Sequence, residues 1–105
     1  MTPVFYEVTA AIQDRSILVE WVRWMGETHL DDVVAAGATR GRLIRIDGPT
    51  ATFVCQYEFA SRSALDRYLS EHAPRLRAEG VALFDSDQVS YTRRTGDILS
   101  DTSTH

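Results

Sequence analysis

The stretch TRGRLIRIDGPTATFVCQYEF, Thr39 to Phe59, decides the fold. Asp47-Gly48-Pro49 at its centre is turn chemistry, because glycine admits backbone angles closed to other residues and proline fixes its own φ. The flanking segments, Thr39–Asp47 and Thr50–Phe59, read as two strands of a β-hairpin. In the second strand Phe53, Cys55, Tyr57 and Phe59 share one face, while Thr52, Val54, Gln56 and Glu58 share the other. In the first strand both faces are mixed, Leu43 and Arg45 against Arg42, Ile44 and Ile46, so its orientation stays open.

Toward the N-terminus, Pro3–Ile12 alternates as another strand, with Tyr6, Val8, Ala10 and Ile12 on one side and Glu7 and Thr9 on the other. Ile17, Trp21, Trp24 and Met25 then recur at helical spacing, and Gly26 is a natural stop. Thr28-His29-Leu30-Asp31 has the form of a capping box and predicts a second, short helix that Gly37 ends. Toward the C-terminus, Ser61 or Ser63 caps a helix carrying the stripe Leu65, Leu69, His72, Leu76. Pro74 kinks or restarts that helix, since it lacks an N–H and clashes with the preceding turn. A fourth strand falls within Asp87–Leu99, with Val89, Tyr91 and Arg93 opposite Ser90, Thr92 and Arg94.

The order is therefore β-α-(short α)-β-β-α-β, an α+β chain. It predicts a four-stranded antiparallel sheet with the helices on one face, the ferredoxin-like arrangement. One domain over residues 1–99 is expected, followed by a flexible polar tail, Ser100–His105. The 105 residues carry 11 Lys+Arg against 15 Asp+Glu, a net charge of −4. That balance argues against nucleic acid, whose binders display basic faces. The longest apolar run, Val33–Ala36, is too short for a membrane span, and Met1–Thr9 lacks a signal-peptide pattern, so a cytoplasmic location is expected. The lone Cys55 excludes an internal disulfide and multi-cysteine metal sites.

With the helices on one side, the other sheet face needs water, a ligand or a partner. Glu7, Thr9, Gln56 and Glu58 point there, joined by Arg93 or Arg94. Such a surface suits two sheets meeting face to face around a partly polar hollow, and it suits a solvated monomer too. Glu20–Met25, His29–Val33 with Gly37, Val54–Tyr57 and Tyr68–Arg77 resemble a family of small bacterial proteins filed as a domain of unknown function. That family is similar in fold to the dimeric α/β-barrel superfamily, which includes the cofactor-free antibiotic-biosynthesis monooxygenases. The resemblance runs from about Val4 to Arg94. It implies the fold and a homodimer through the open sheet face; reaction chemistry does not follow from fold.

His29 is the candidate general base: at a helix start, the positive end of the dipole disfavours its charged form. The competing role is fixing the helix entrance. His72, beside Pro74, suits loosened backbone better than catalysis, although it is also a candidate ligand-binding residue. Glu7, Gln56, Glu58 and Arg45 or Arg94 form the open-face set. They read either as ligand-binding residues, with arginine stabilising an anion, or as cross-strand ion pairs. Tyr68 is a candidate cavity residue. Trp21, Trp24 and Met25 read as core, one tryptophan being a candidate pocket wall, and Cys55 as a buried small hydrophobe. His29 and His72 lack a compact ligand motif, so no metal is expected.

Two functions compete. One is an enzyme, needing no cofactor, that oxygenates or isomerises a small hydrophobic oxygen-bearing molecule inside the dimer hollow, with His29 as base, Arg45 or Arg94 as anion stabiliser and Gln56 positioning the substrate. The other is a module that binds a small molecule or a protein and catalyses nothing. An RNA-recognition reading fails on charge. A heavy-metal carrier fails because Gln13-Asp14-Arg15 stands where paired cysteines would be.

Overall fold

A computed structural model describes residues 2–102. Strand β1 spans Val4–Ile12, β2 Arg40–Arg45, β3 Thr52–Phe59 and β4 Val89–Asp97. They form one antiparallel sheet in the order β2-β3-β1-β4. Helices α1 (Leu18–Trp24) and α2 (Leu30–Ala35) are joined by a π turn, Met25–His29, while α3 (Arg62–Glu71) and α4 (Ala73–Leu83) follow β3. The two strands beside the Asp47–Pro49 turn are each shorter than the sequence reading has them, because Ile46–Ala51 forms a wider loop closed by the Ile46 N–H to Thr52 carbonyl bond at 3.0 Å.

Alternation along the strands decides which side the helices cover. Register pairs Tyr6 with Tyr57 and Thr95, Val8 with Cys55 and Arg93, and Ala10 with Phe53 and Tyr91. These residues share one face, and its core members are buried with Trp21, Met25, Val33, Phe59, Leu65 and Leu76. Arg45 pairs with Phe53 and so belongs to this covered face. The opposite face carries Phe5, Glu7, Thr9, Gln56, Glu58, Arg42, Ile44 and Arg94, with no helix of the described residues against it.

The expected break after α1 does not occur. The helix passes through Gly26 without ending, and the Leu30 N–H reaches back five residues to the Met25 carbonyl. A helix turns by about 100° per residue, so Trp21 and Val33 would lie about 120° apart on a uniform α-helix. The π turn takes up one extra residue and brings them within about 20°, so both buried side chains face the sheet. Thr28 is therefore an interior residue and caps nothing.

Downstream, Gly37 has φ +132°, a conformation glycine adopts without strain. Its N–H bonds the Val34 carbonyl at 3.1 Å and the Ala38 N–H bonds Val33 at 3.2 Å, closing α2 in a Schellman motif over the buried Val33–Ala38 pair. Ser61 caps α3, its Oγ accepting from the Ala64 N–H at 3.2 Å. Pro74 restarts the chain as α4, and His72 stands at the junction with φ −121°.

Candidate functional site

The structure distributes the sequence-derived candidates over both faces of the sheet. On the uncovered face one side chain from each strand joins a single row. Arg42 Nε donates to Gln56 Oε1 at 2.9 Å, Gln56 Nε2 donates to Glu7 Oε1 at 3.1 Å, and Arg94 Nε donates to Glu7 Oε2. In-register pairing of Arg42, Gln56, Glu7 and Arg94 puts them there. Glu7 is only 5% exposed. The Arg94 bond outweighs burial and, with Gln56, holds the carboxyl below the ordinary carboxylate range. All its acceptor capacity is directed inward along the row, so this carboxylate is a structural hub. Glu58 lies two positions from the row and accepts from Thr39 Oγ1 at 3.5 Å.

Arg45 is absent from this row. Belonging to the covered face, it lies exposed at the end of β2 beside Arg15, and Arg42 takes the place that the sequence reading gave it. The choice between Arg93 and Arg94 also resolves: Arg94 faces the open side and Arg93 the helices. His72 lines none of the cavities described below and serves as the α3–α4 junction, where its carbonyl accepts the Leu76 N–H at 3.1 Å.

The cavity lies beneath the helices, on the other side of the sheet from the row. It encloses about 70 Å³. Tyr6, Val8, Cys55, Tyr57, Tyr91 and Arg93 rise from the sheet as its floor; Trp24, Met25 and His29 supply one wall, and Tyr68, Leu76, Arg77, Gly80 and Val81 the other. His29 and Tyr68 thus meet in one cavity, separated by the sheet from Glu7, Gln56 and Arg94. Within one chain His29 thus lies across the sheet from Glu7, Gln56 and Arg94, because the strand period of two sends the polar row to one face and the helices supply His29 to the other.

The π turn positions His29. Residues five apart on an α-helix diverge by about 140°, whereas here the Trp24 and His29 rings pack together, tilted by 33° with centroids 4.8 Å apart. Trp24 also packs on Phe84 at 5.8 Å. Its indole reaches 3.1 Å from where a Cβ on Gly80 would stand, so a larger residue there requires the indole to give by a few tenths of an ångström. Nδ1 of His29 is buried and has no hydrogen-bond partner among the described residues. Burial lowers the imidazole's proton affinity, Arg93 adds to the effect, and Asp32 opposes it. The neutral form therefore arises from desolvation and not, as expected, from a helix start, since the helix continues through this residue.

The floor is rich in phenols. Tyr6 and Tyr57 stack at 5.9 Å, and Tyr68 lies 6.1 Å from Tyr6 and 5.3 Å from Phe59. Burial pushes the Tyr68 hydroxyl up to about 12 despite Arg77 and Arg93 nearby, and raises those of Tyr57 and Tyr91. Arg77 Nη2 donates to Tyr6 Oη at 3.0 Å, and the Trp21 indole N–H donates to Tyr91 Oη at 3.1 Å. Burial also pushes the Cys55 thiol up to about 12, which makes it a poor nucleophile. Arg77 and Arg93 escaped the sequence reading as cavity residues; the signal for Arg93 was its alternation with Val89 and Tyr91. Among the described residues no group of three His, Cys, Asp or Glu side chains is placed to hold a metal, and no helix is long and apolar enough to cross a membrane.

No curated protein matches the chain. Among solved structures it is similar to a dimeric ferredoxin-like protein from an uncultured marine organism, with TM-score 0.79 and 12% identity over 97% of this chain and 100% of that one. SnoaB, a cofactor-independent oxygenase from Streptomyces nogalater, aligns with TM-score 0.74 and 12% identity over 94% and 95% of the two chains. A DABB-family protein with a ferredoxin-like fold from Mesorhizobium loti gives TM-score 0.67 and 18% identity over 95% and 100%. At these identities the likeness establishes the fold. Residues 3–98 match a sequence family, and the chain belongs to it: the domain of unknown function DUF4286.

Proposed function

We propose that the protein is a homodimeric enzyme that removes a proton from a small, hydrophobic, oxygen-bearing molecule held in the cavity beneath the helices. The observation that carries this reading is His29, held toward its neutral form by burial, in the lining of a cavity walled by aromatic rings. A neutral imidazole keeps one ring nitrogen unprotonated, available as a base for the bound molecule. Deprotonation at carbon or phenolic oxygen leaves an enolate or phenolate beside Arg93, with the proton on imidazolium. The anion then takes the proton back at another carbon, an isomerisation, or adds dissolved dioxygen at a carbon that still bears hydrogen; the resulting peroxide takes the imidazolium proton and loses water by breaking its O–O and C–H bonds, leaving a new carbonyl, an oxygenation. The fold similarity to a cofactor-independent oxygenase supports the second branch by analogy. Similarity to dimeric proteins supports pairing through the open face, which leaves the cavities of both copies accessible.

Proton exchange into deuterated water from aryl 1,3-diketones, followed by NMR, tests the first step whatever comes after it. The protein should accelerate exchange, and His29→Ala should abolish that acceleration while leaving the melting temperature nearly unchanged. Saturable binding without any accelerated exchange would instead make this a binding module.

A further inference from the structure

The rim of the cavity has a charge opposite to that of the molecule. The chain carries 15 acidic against 11 basic residues, yet no Asp or Glu of the described residues lines the cavity, while Arg77 and Arg93 both do. Neither arginine has a carboxylate partner among the described residues; the described ion pairs use Arg62, Arg75 and Arg94. Arg77 enters from α4 and bonds Tyr6 Oη at 3.0 Å. Arg93 enters from β4, with its guanidinium 5.4 Å from the Tyr91 ring centre. Tyr68 lines the same cavity as the two arginines. Arg77, Val81 and Arg93 are exposed, so they form the mouth, whereas Tyr6, Met25, Cys55 and Tyr57 are buried behind them.

From this arrangement we infer that the cavity takes a small aromatic carboxylate, its ring among the tyrosines and Trp24 and its carboxylate at the mouth between Arg77 and Arg93. The inference rests on the proposed use of the same cavity and specifies its substrate class. An engineered cavity of roughly 150 Å³ takes up benzene, so the 70 Å³ here holds only part of one ring, and the remainder of the ligand extends through the open mouth. Guanidinium suits the role, because its planar donors match a carboxylate and its charge remains at any accessible pH.

Calorimetric titration with benzoate and with benzamide, its neutral isostere, tests the inference, with quenching of tryptophan fluorescence reporting contact at Trp24. Benzoate should bind and benzamide should bind at least about tenfold more weakly, as for a charge-assisted pair. Arg93→Gln, at an exposed position, should weaken benzoate about tenfold without changing benzamide, and Arg93→Lys should restore part of the loss. Arg77→Gln should act likewise, but it also frees Tyr6, so Arg93 is the decisive position. Equal affinity for acid and amide, undiminished benzoate binding by Arg93→Gln, or no binding of benzoate would each overturn the inference. His29→Gln separates the two readings: it should keep benzoate affinity while losing proton exchange. Exchange retained in His29→Gln would sink the proton-transfer reading alone, and exchange in the wild type without benzoate binding would sink the carboxylate inference alone.

Discussion

Glu7 and His29 are both withdrawn from water, and their opposite fates follow from their partners. Glu7 has Arg94 and Gln56, so its fold favours the ionised form; His29 is buried with Arg93 nearby, so its fold favours the neutral form. A histidine with lowered folded pKa contributes stability that is fully present above the unfolded value near 6.5 and is lost as pH falls through the folded value. The thermal midpoint should therefore drop as pH falls below about 6.5, and His29→Gln should flatten that slope. Glu7 begins lower: its contribution is present above the ordinary 4.5 and is lost as pH falls through its lowered value. Glu7→Ala leaves Gln56 and Arg94 without their acceptor and should cost about 1–3 kcal/mol in urea unfolding. A cost near zero would mean that water replaces the carboxylate.

At the scale of elements, the π turn and α4 make the cavity wall together. Gly80→Ala puts a methyl 3.1 Å from the Trp24 indole, and Trp24 is wedged between His29 and Phe84. The substitution should cost about 1–3 kcal/mol by overpacking. It should also shift tryptophan emission and, by tilting the imidazole, reduce proton exchange. A silent Gly80→Ala would show that the indole moves freely. The strands and their order were legible from the alternation of Phe53, Cys55, Tyr57 and Phe59, because a strand repeats every two residues and few others fit. The π turn was not. An extra residue shifts the helical phase, so Trp21 and Met25 fall out of step with Val33, and a uniform period reads that slip as an ending at Gly26. The orientation of β2 was equally hidden, since Leu43 and Ile44 give both faces an apolar residue.

Across the whole molecule, the sheet separates the polar row from the cavity beneath the helices. His29 and Tyr68 line one cavity, but their union there with Arg77 and Arg93 depends on strand register and helix placement, neither of which local sequence carries. If copies pair through the uncovered face, Val54→Glu, beside Ile44 and Thr9 in the sheet, should yield a monomer in analytical ultracentrifugation. It should do so while benzoate binding in the covered cavity survives. A wild-type monomer would remove the pairing and leave the cavity chemistry untouched. The row of Arg42, Gln56, Glu7 and Arg94 bears on how the chain finds its fold. Strands that slide by two residues keep every side chain on its proper face, so burial alone tolerates the mistake. Here such a slide of β1 against β3 sets Glu7 opposite Glu58 in one direction and Val54 in the other, in place of Gln56. A carboxylate meets a like charge or an alkyl group, and the misaligned sheet is penalised before the helices dock. The row thus acts as a proofreading mark, rejecting misalignments that hydrophobicity accepts.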